Sequence, residues 1–140
     1  MRKHDNLKSA IALVVLILLA LGSVESEEEV EETTYSQRAR FYVSAKRLYQ
    51  DYESNEVAAD EKYKGRVIVV SGVVENIGKD IMDTMYISLD TGNFGSVQCM
   101  FSERHTSDLT KIQKGDMVRI RGKCDGKLMN VLLRGCILVE

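Results

Sequence analysis

The chain has 140 residues, with no proline, no tryptophan and only two histidines. His4 lies near the N-terminus and His105 stands alone in a polar stretch that reads as a solvated loop. No histidine dyad and no histidine-based metal cluster can therefore be assembled. Three cysteines permit at most one intramolecular disulfide and leave one thiol over. There is no phosphate-cradling glycine motif, because Gly92-Asn93-Phe94-Gly95 is explained as a hairpin turn. Paired carboxylates such as Asp80 and Asp83 are common turn residues and carry no catalytic signal. A net charge of −2 supplies no global basic field of the kind that accompanies nucleic-acid binding. These absences argue against an enzyme and point to no cofactor and no metal. A binding or structural role is left.

What is present is one strong β signal. From Tyr63 to Val74, seven of twelve residues are apolar and six of those are valine or isoleucine, which suits a pleated strand. Val67, Val69 and Val73 fall on one face, and Ile68, Val70 and Val74 on the other. A strand apolar on both faces is buried on both, or bends so that its halves serve two layers. Gly72 inside the run marks a bulge or bend. We expect the long, bent first strand of a small closed barrel.

Residues 1–24 have the pattern of a signal peptide or signal anchor. Arg2, Lys3 and Lys8 precede an unbroken apolar run of twelve, Ala10 to Leu21. That length fits a secretory core and falls short of the ~20 residues a transmembrane helix needs. The remainder is expected to be exported, soluble after cleavage or tethered at the membrane by this segment. Residues 25–35 hold six glutamates within Glu25–Glu32 and read as an acidic, solvated linker, with a calcium or basic-partner site as the sharper alternative. Over 36–60, Phe41, Ala45, Leu48 and Tyr52 recur at helical spacing, which predicts an amphipathic helix packing on the barrel. The barrel itself is expected over 61–140.

Within it, Asn76 to Asp80 reads as a turn. Met85–Asp90, Ser96–Phe101 and Met117–Cys124 alternate as strands, and Val131–Val139 forms the last one. Leu109 and Ile112 mark a short helix before Gly115. Five strands with a short helix between the third and fourth give an all-β chain with the layout of the OB-fold barrel. An open five-stranded α+β sheet has the same spacing, and closure is favoured because it removes exposed edges.

The residues YESNEVAADEKYKGRVIVVSGVVENIGKD resemble the first strand and lead-in of the tRNA_anti-like family of exported OB-fold proteins. SVQCMF, IQKGDMVRIRGKCDG and VLLRGC resemble its third, fourth and fifth strands. This resemblance spans about Leu48 to Cys136. It implies a binding barrel and does not by itself name a ligand, since one fold hosts many functions.

OB barrels take extended polymers across strands two and three, flanked by the first and last hairpin loops. The outward residues there are Tyr86, Ser88, Gln98 and Met100, with Lys79 in the first loop and Lys127 in the last. Tyr86 offers a stacking platform and the two lysines offer backbone contacts; Phe94 is a second platform or a cover for the barrel mouth. Arg119, Arg121 and Lys123 form an alternative basic row on strand four. Two readings follow. One is a non-catalytic module for an oligomeric ligand, nucleic acid or glycan among the candidates. The other is an envelope protein that contacts another protein. Export permits a disulfide. A glycine bulge at Gly135 would turn Cys136 inward and, with a two-residue turn at Met129-Asn130, set it opposite Cys124. Cys99 reads as a buried, inert thiol.

Overall fold

The computed structural model describes residues 25–140; the expected leader over 1–24 lies outside the described residues. The first described element is helix α1 (Glu27–Ser36). Strand β1 (Phe41–Ser44), helix α2 (Ala45–Ser54) and helix α3 (Glu56–Tyr63) follow. The barrel strands are β2 (Val67–Lys79), β3 (Met85–Leu89), β4 (Val97–Phe101), β5 (Met117–Lys127) and β6 (Val131–Val139). Between β4 and β5 come a 3-10 turn (Glu103–His105) and one short helix, α4 (Thr106–Leu109).

Strand β2 is the organising element because its two halves pair with different strands. Val67 to Val73 run antiparallel to β5, from Val67↔Lys123 to Val73↔Met117. Val74 to Lys79 run antiparallel to β3, with the register shifting between Val74 and Asn76. That irregularity lets one strand serve both sides of a closed sheet. Closure is completed by β3–β4, β5–β6 and a parallel β4–β6 pairing from Val97↔Val131 to Cys99↔Leu133. The result is the expected closed five-stranded barrel with a short helix after its third strand. Inside lie Ile68, Val70, Ile87, Leu89, Cys99, Phe101, Ile120 and Leu133, all buried. The expected turn at 76–80 starts later: β2 runs through Lys79, and Asp80 to Thr84 make the turn.

Two parts of the lead-in differ from expectation. The helix expected over 36–60 is a strand followed by two helices. Phe41, Tyr42 and Val43 suit a strand, and β1 lies parallel to β2 as a sixth strand, Phe41↔Ile68. Ser44 then caps α2 by accepting from the Arg47 amide, and Asn55 caps α3 by accepting from the Ala58 amide. Ala45, Leu48, Tyr49 and Tyr52 do form one buried face of α2. Tyr52 reaches the barrel, with its hydroxyl 3.6 Å from Cys124 Sγ and donating to Asp60 at 3.0 Å.

The acidic stretch is likewise a helix and not a solvated linker. Ser26 and Glu29 form a capping box: Ser26 Oγ accepts from the Glu29 amide, and the Glu29 carboxylate accepts from the Ser26 amide. Glu27, Glu28 and Glu29 occupy the first turn, where the helix dipole favours negative charge. Val30, Glu31 and Thr34 are buried as α1 packs along β6 and the adjoining part of β5. Glu31 accepts from Ser102 Oγ at 2.6 Å, and its other oxygen lies 3.0 Å from His105 Nε2. His105 is therefore buried beside Phe101 and Glu31 instead of solvated. Arg134 donates to Glu27, and the Gly135 amide donates to the same carboxylate at 2.8 Å.

All three cysteines are buried free thiols. The bulge at Gly135 is present, with φ +58, and it turns Cys136 inward. The expected opposition to Cys124 is nonetheless not made. The β5–β6 turn leaves three residues between Lys127 and Val131, and a second irregularity lies between Cys124 and Lys127, so Cys124 pairs with Leu133. Cys136 instead lies over Gly122, with the Cys99 thiol as its neighbour. Burial pushes both the Cys136 and the Cys124 thiols up in pKa. Among the described residues, no helix is long and apolar enough to cross a membrane.

Candidate binding face

Alternation places the outward side chains of β3, β4 and β6 on one surface. The registers Tyr86↔Met100 and Ser88↔Gln98 set the four nominated residues side by side, and Gln98↔Leu132 extends the surface onto β6. The β2–β3 loop borders it at one end and the β5–β6 loop at the other. A shallow depression of about 510 Å³ crosses between them, lined by Lys79, Asp80, Ile81, Tyr86, Ser88, Gln98 and Asn130. Two further hollows meet it at Gln98. One, of about 840 Å³, opens toward the start of α1, and the other, of about 460 Å³, lies under Leu128 and Met129.

The floor is held rigidly by polar contacts. Asn130 accepts from the Ser96 amide at 3.0 Å and donates to Gln98 Oε1 at 3.2 Å, while Gln98 donates to Met100 Sδ. Ser88 and Met100 are buried, so their exposed area is small. Tyr86 lies across Gly78: a Cβ on that glycine would come within 3.0 Å of the tyrosine hydroxyl, which also accepts from Asn76 Nδ2. One face of the ring is thereby fixed against β2. In the first loop, Asp80 Oδ1 accepts from the Met82 and Thr84 amides at 2.8 and 2.9 Å, which holds Ile81 and Met82 outward.

The nominated lysines are both engaged. Lys79 pairs with Asp83 at 3.1 Å. Lys127 pairs with Glu53 at 2.5 Å and lies over the Tyr49 ring at 5.3 Å. The hydrogen bond to Glu53 raises the Lys127 pKa, and the same bond lowers that of Glu53. The alternative basic row is split as well. Arg121 donates to the Gln37 carbonyl, where a cation suits the C-terminal end of α1, and Arg119 donates to the Glu140 carbonyl. Lys123 is half-buried opposite Val67. Phe94 is fully exposed on the β3–β4 loop.

Ser102, His105 and Glu31 come together by folding, a cluster that single-sequence reading missed. Both the serine hydroxyl and the imidazole address the same carboxylate. The serine thus donates to Glu31 and is not activated by the histidine, an arrangement that fastens α1 and does not create a nucleophile. Among the described residues no group of three or more potential ligands could hold a metal ion.

A closed five-stranded barrel with a short helix after its third strand defines an OB-fold. The chain belongs to the tRNA_anti-like family, whose model matches residues 3–137. No curated protein matches it. Among solved structures it is similar to a lipoprotein from Klebsiella pneumoniae named for a presumed nucleic-acid-binding role. The two share 18% identity over 78% of this chain and 97% of that one, at a TM-score of 0.58. It is also similar to the OBody AM1L10 bound to hen egg-white lysozyme, at 16% identity over 56% of this chain and 84% of that one, TM-score 0.42. A third likeness is to the S. pombe Stn1–Ten1 complex, at 11% identity over 53% of this chain and 58% of that one, TM-score 0.40.

Proposed function

We propose that this chain is a non-catalytic module of the cell envelope that binds an extended oligomeric ligand across the face of β3, β4 and β6. The observation that carries the proposal is the continuous open depression joining the two hairpin loops through Tyr86, Gln98 and Asn130. An open trough suits a chain-like ligand, whereas a small molecule requires a cavity that encloses it. The leader pattern over 1–24 supports export, cleaved or anchored, and the name of the Klebsiella lipoprotein is consistent with an envelope location. Its name likewise favours nucleic acid as one ligand class. The pairing of Lys79 and Lys127 with carboxylates weakens that class here.

The face is tested with labelled single-stranded oligonucleotides and glycan oligomers, titrated against the full chain at two salt concentrations. Tyr86→Ala should weaken whichever polymer binds by ~1–3 kcal/mol through lost stacking. Arg119→Ala should have a smaller effect. The reverse ranking would move the site to the basic row. A steep fall in affinity with salt would identify phosphate contacts.

A further inference from the structure

We infer that the ligand of this face is a basic polypeptide segment of a partner protein, with apolar side chains alternating between its cations; this rests on the binding-face reading above. Two independent features point there. First, the two loops that border the face each present a pair of exposed apolar side chains. Ile81 and Met82 are 101% and 79% exposed in one loop, and Leu128 and Met129 are 98% and 80% exposed in the other. All four line the connected hollows. Apolar side chains held outward in pairs at both ends of a groove mark a surface for another protein, and methionine adapts readily to varied partners.

Second, the charge around the groove selects the sign of the partner. Asp80, Glu103 and Asp125 line the larger hollow and make no ion pair among the described residues. The neighbouring cations are already committed. Lys79 is paired with Asp83, Lys127 with Glu53, Arg134 with Glu27 and Arg104 with Glu28. A phosphate backbone would have to break those pairs and then lie beside the open carboxylates. A lysine- or arginine-bearing segment meets the carboxylates directly, and complementary potentials speed encounter and set register. Leucine-like side chains on such a segment would cover Met82 and Ile81 at one end and Leu128 and Met129 at the other.

The test uses the full chain and three fluorescent probes: a short peptide alternating lysine and leucine, its glutamate–leucine counterpart, and single-stranded oligothymidylate. The lysine–leucine peptide should bind, and binding should weaken as salt is raised. The glutamate–leucine peptide should not bind. Glu103→Gln and Asp125→Asn should each weaken the basic peptide about twofold to fivefold, as loss of one partly exposed charge pair does. Met82→Ser combined with Met129→Ser should weaken it about tenfold. Oligothymidylate binding more tightly than the basic peptide, and lost in Tyr86→Ala, would overturn the peptide inference while leaving the face intact. Basic-peptide binding indifferent to all four substitutions, or no binding of the basic peptide, would also overturn it. The binding-face reading fails separately, when a polymer binds and Tyr86→Ala has no effect on it.

Discussion

Replacing Gly135 by alanine should detach α1 from the barrel. The glycine has φ +58, a left-handed conformation that costs an alanine ~1–2 kcal/mol. Space is the harder constraint. A Cβ there would lie 2.4 Å from the Glu31 amide nitrogen and 2.4 Å from the Val30 carbonyl carbon. Both are backbone atoms of α1, so no side-chain rotation relieves the contact and the helix must move away. Undocking exposes Val30, worth ~1.5–2 kcal/mol when fully buried, and opens the contact between Glu27 and the Gly135 amide. We expect a loss of ~3–4 kcal/mol, a large part of the stability of a small domain. The loss is bounded by what docking contributes, because the barrel can persist without the helix. Gly135→Ala combined with Val30→Ala should therefore destabilise less than the sum of the two. Urea unfolding measures the loss, and amide hydrogen exchange locates it. Amides of Val30 to Thr34 should lose protection while those of Ile87 and Ile120 keep it. A loss under ~1 kcal/mol with unchanged exchange in α1 would refute the close approach at Gly135.

Stability should also fall at alkaline pH. Burial first, and then hydrogen bonding to Cys124 and Asp60, raises the Tyr52 phenol; burial and Asp51 raise that of Tyr63. In both cases the folded pKa exceeds the unfolded one, so the stabilisation is complete below about pH 10 and is lost as pH rises beyond it. Each phenol should contribute a slope of about −1.4 kcal/mol per pH unit there. The buried Cys124 and Cys136 thiols add to the same fall. Tyr52→Phe should remove the share of one phenol, and urea melts across the range will show it, while a flat profile through pH 11 would refute the burial of both rings. For the cysteines, all three should resist alkylation in the folded chain and react after unfolding. Where an oxidant does bridge a pair, tryptic mass spectrometry should find Cys99 joined to Cys136, and a Cys124–Cys136 peptide would contradict the β5–β6 register.

The barrel was legible because its signal is periodic and local. Alternation along Val97–Phe101 and Met117–Cys124 names the inward side chains without knowledge of any partner strand, and the structure keeps those faces. The bend in β2 was legible too, since no single layer could cover apolar residues on both faces of Val67–Val74. What composition hid was α1. Six glutamates suggest self-repulsion, yet Ser26 three residues before Glu29 is a capping signature that was available in the sequence. Strand β1 was hidden because Phe41 sits at helical spacing from Ala45, although Phe41-Tyr42-Val43 followed by a serine cap spells a strand that ends at a helix. The roles of His105 and Lys127 could not be read locally. Their partners Glu31 and Glu53 lie more than seventy residues away in the chain and meet them only after folding. The Cys124–Cys136 expectation failed on one loop residue and one bulge, because strand register depends on every residue between the two positions.

The central claim is that the face of β3, β4 and β6, and not the strand-four basic row, meets the ligand. Backbone-amide NMR of the full chain, titrated with the lysine–leucine peptide or with oligothymidylate, tests it most directly. The account predicts that the first and largest shifts fall on Ile81, Met82, Tyr86, Gln98, Leu128 and Asn130, whichever of the two probes binds. Largest shifts on Arg119, Arg121 and Lys123, with the groove residues unmoved, would contradict it.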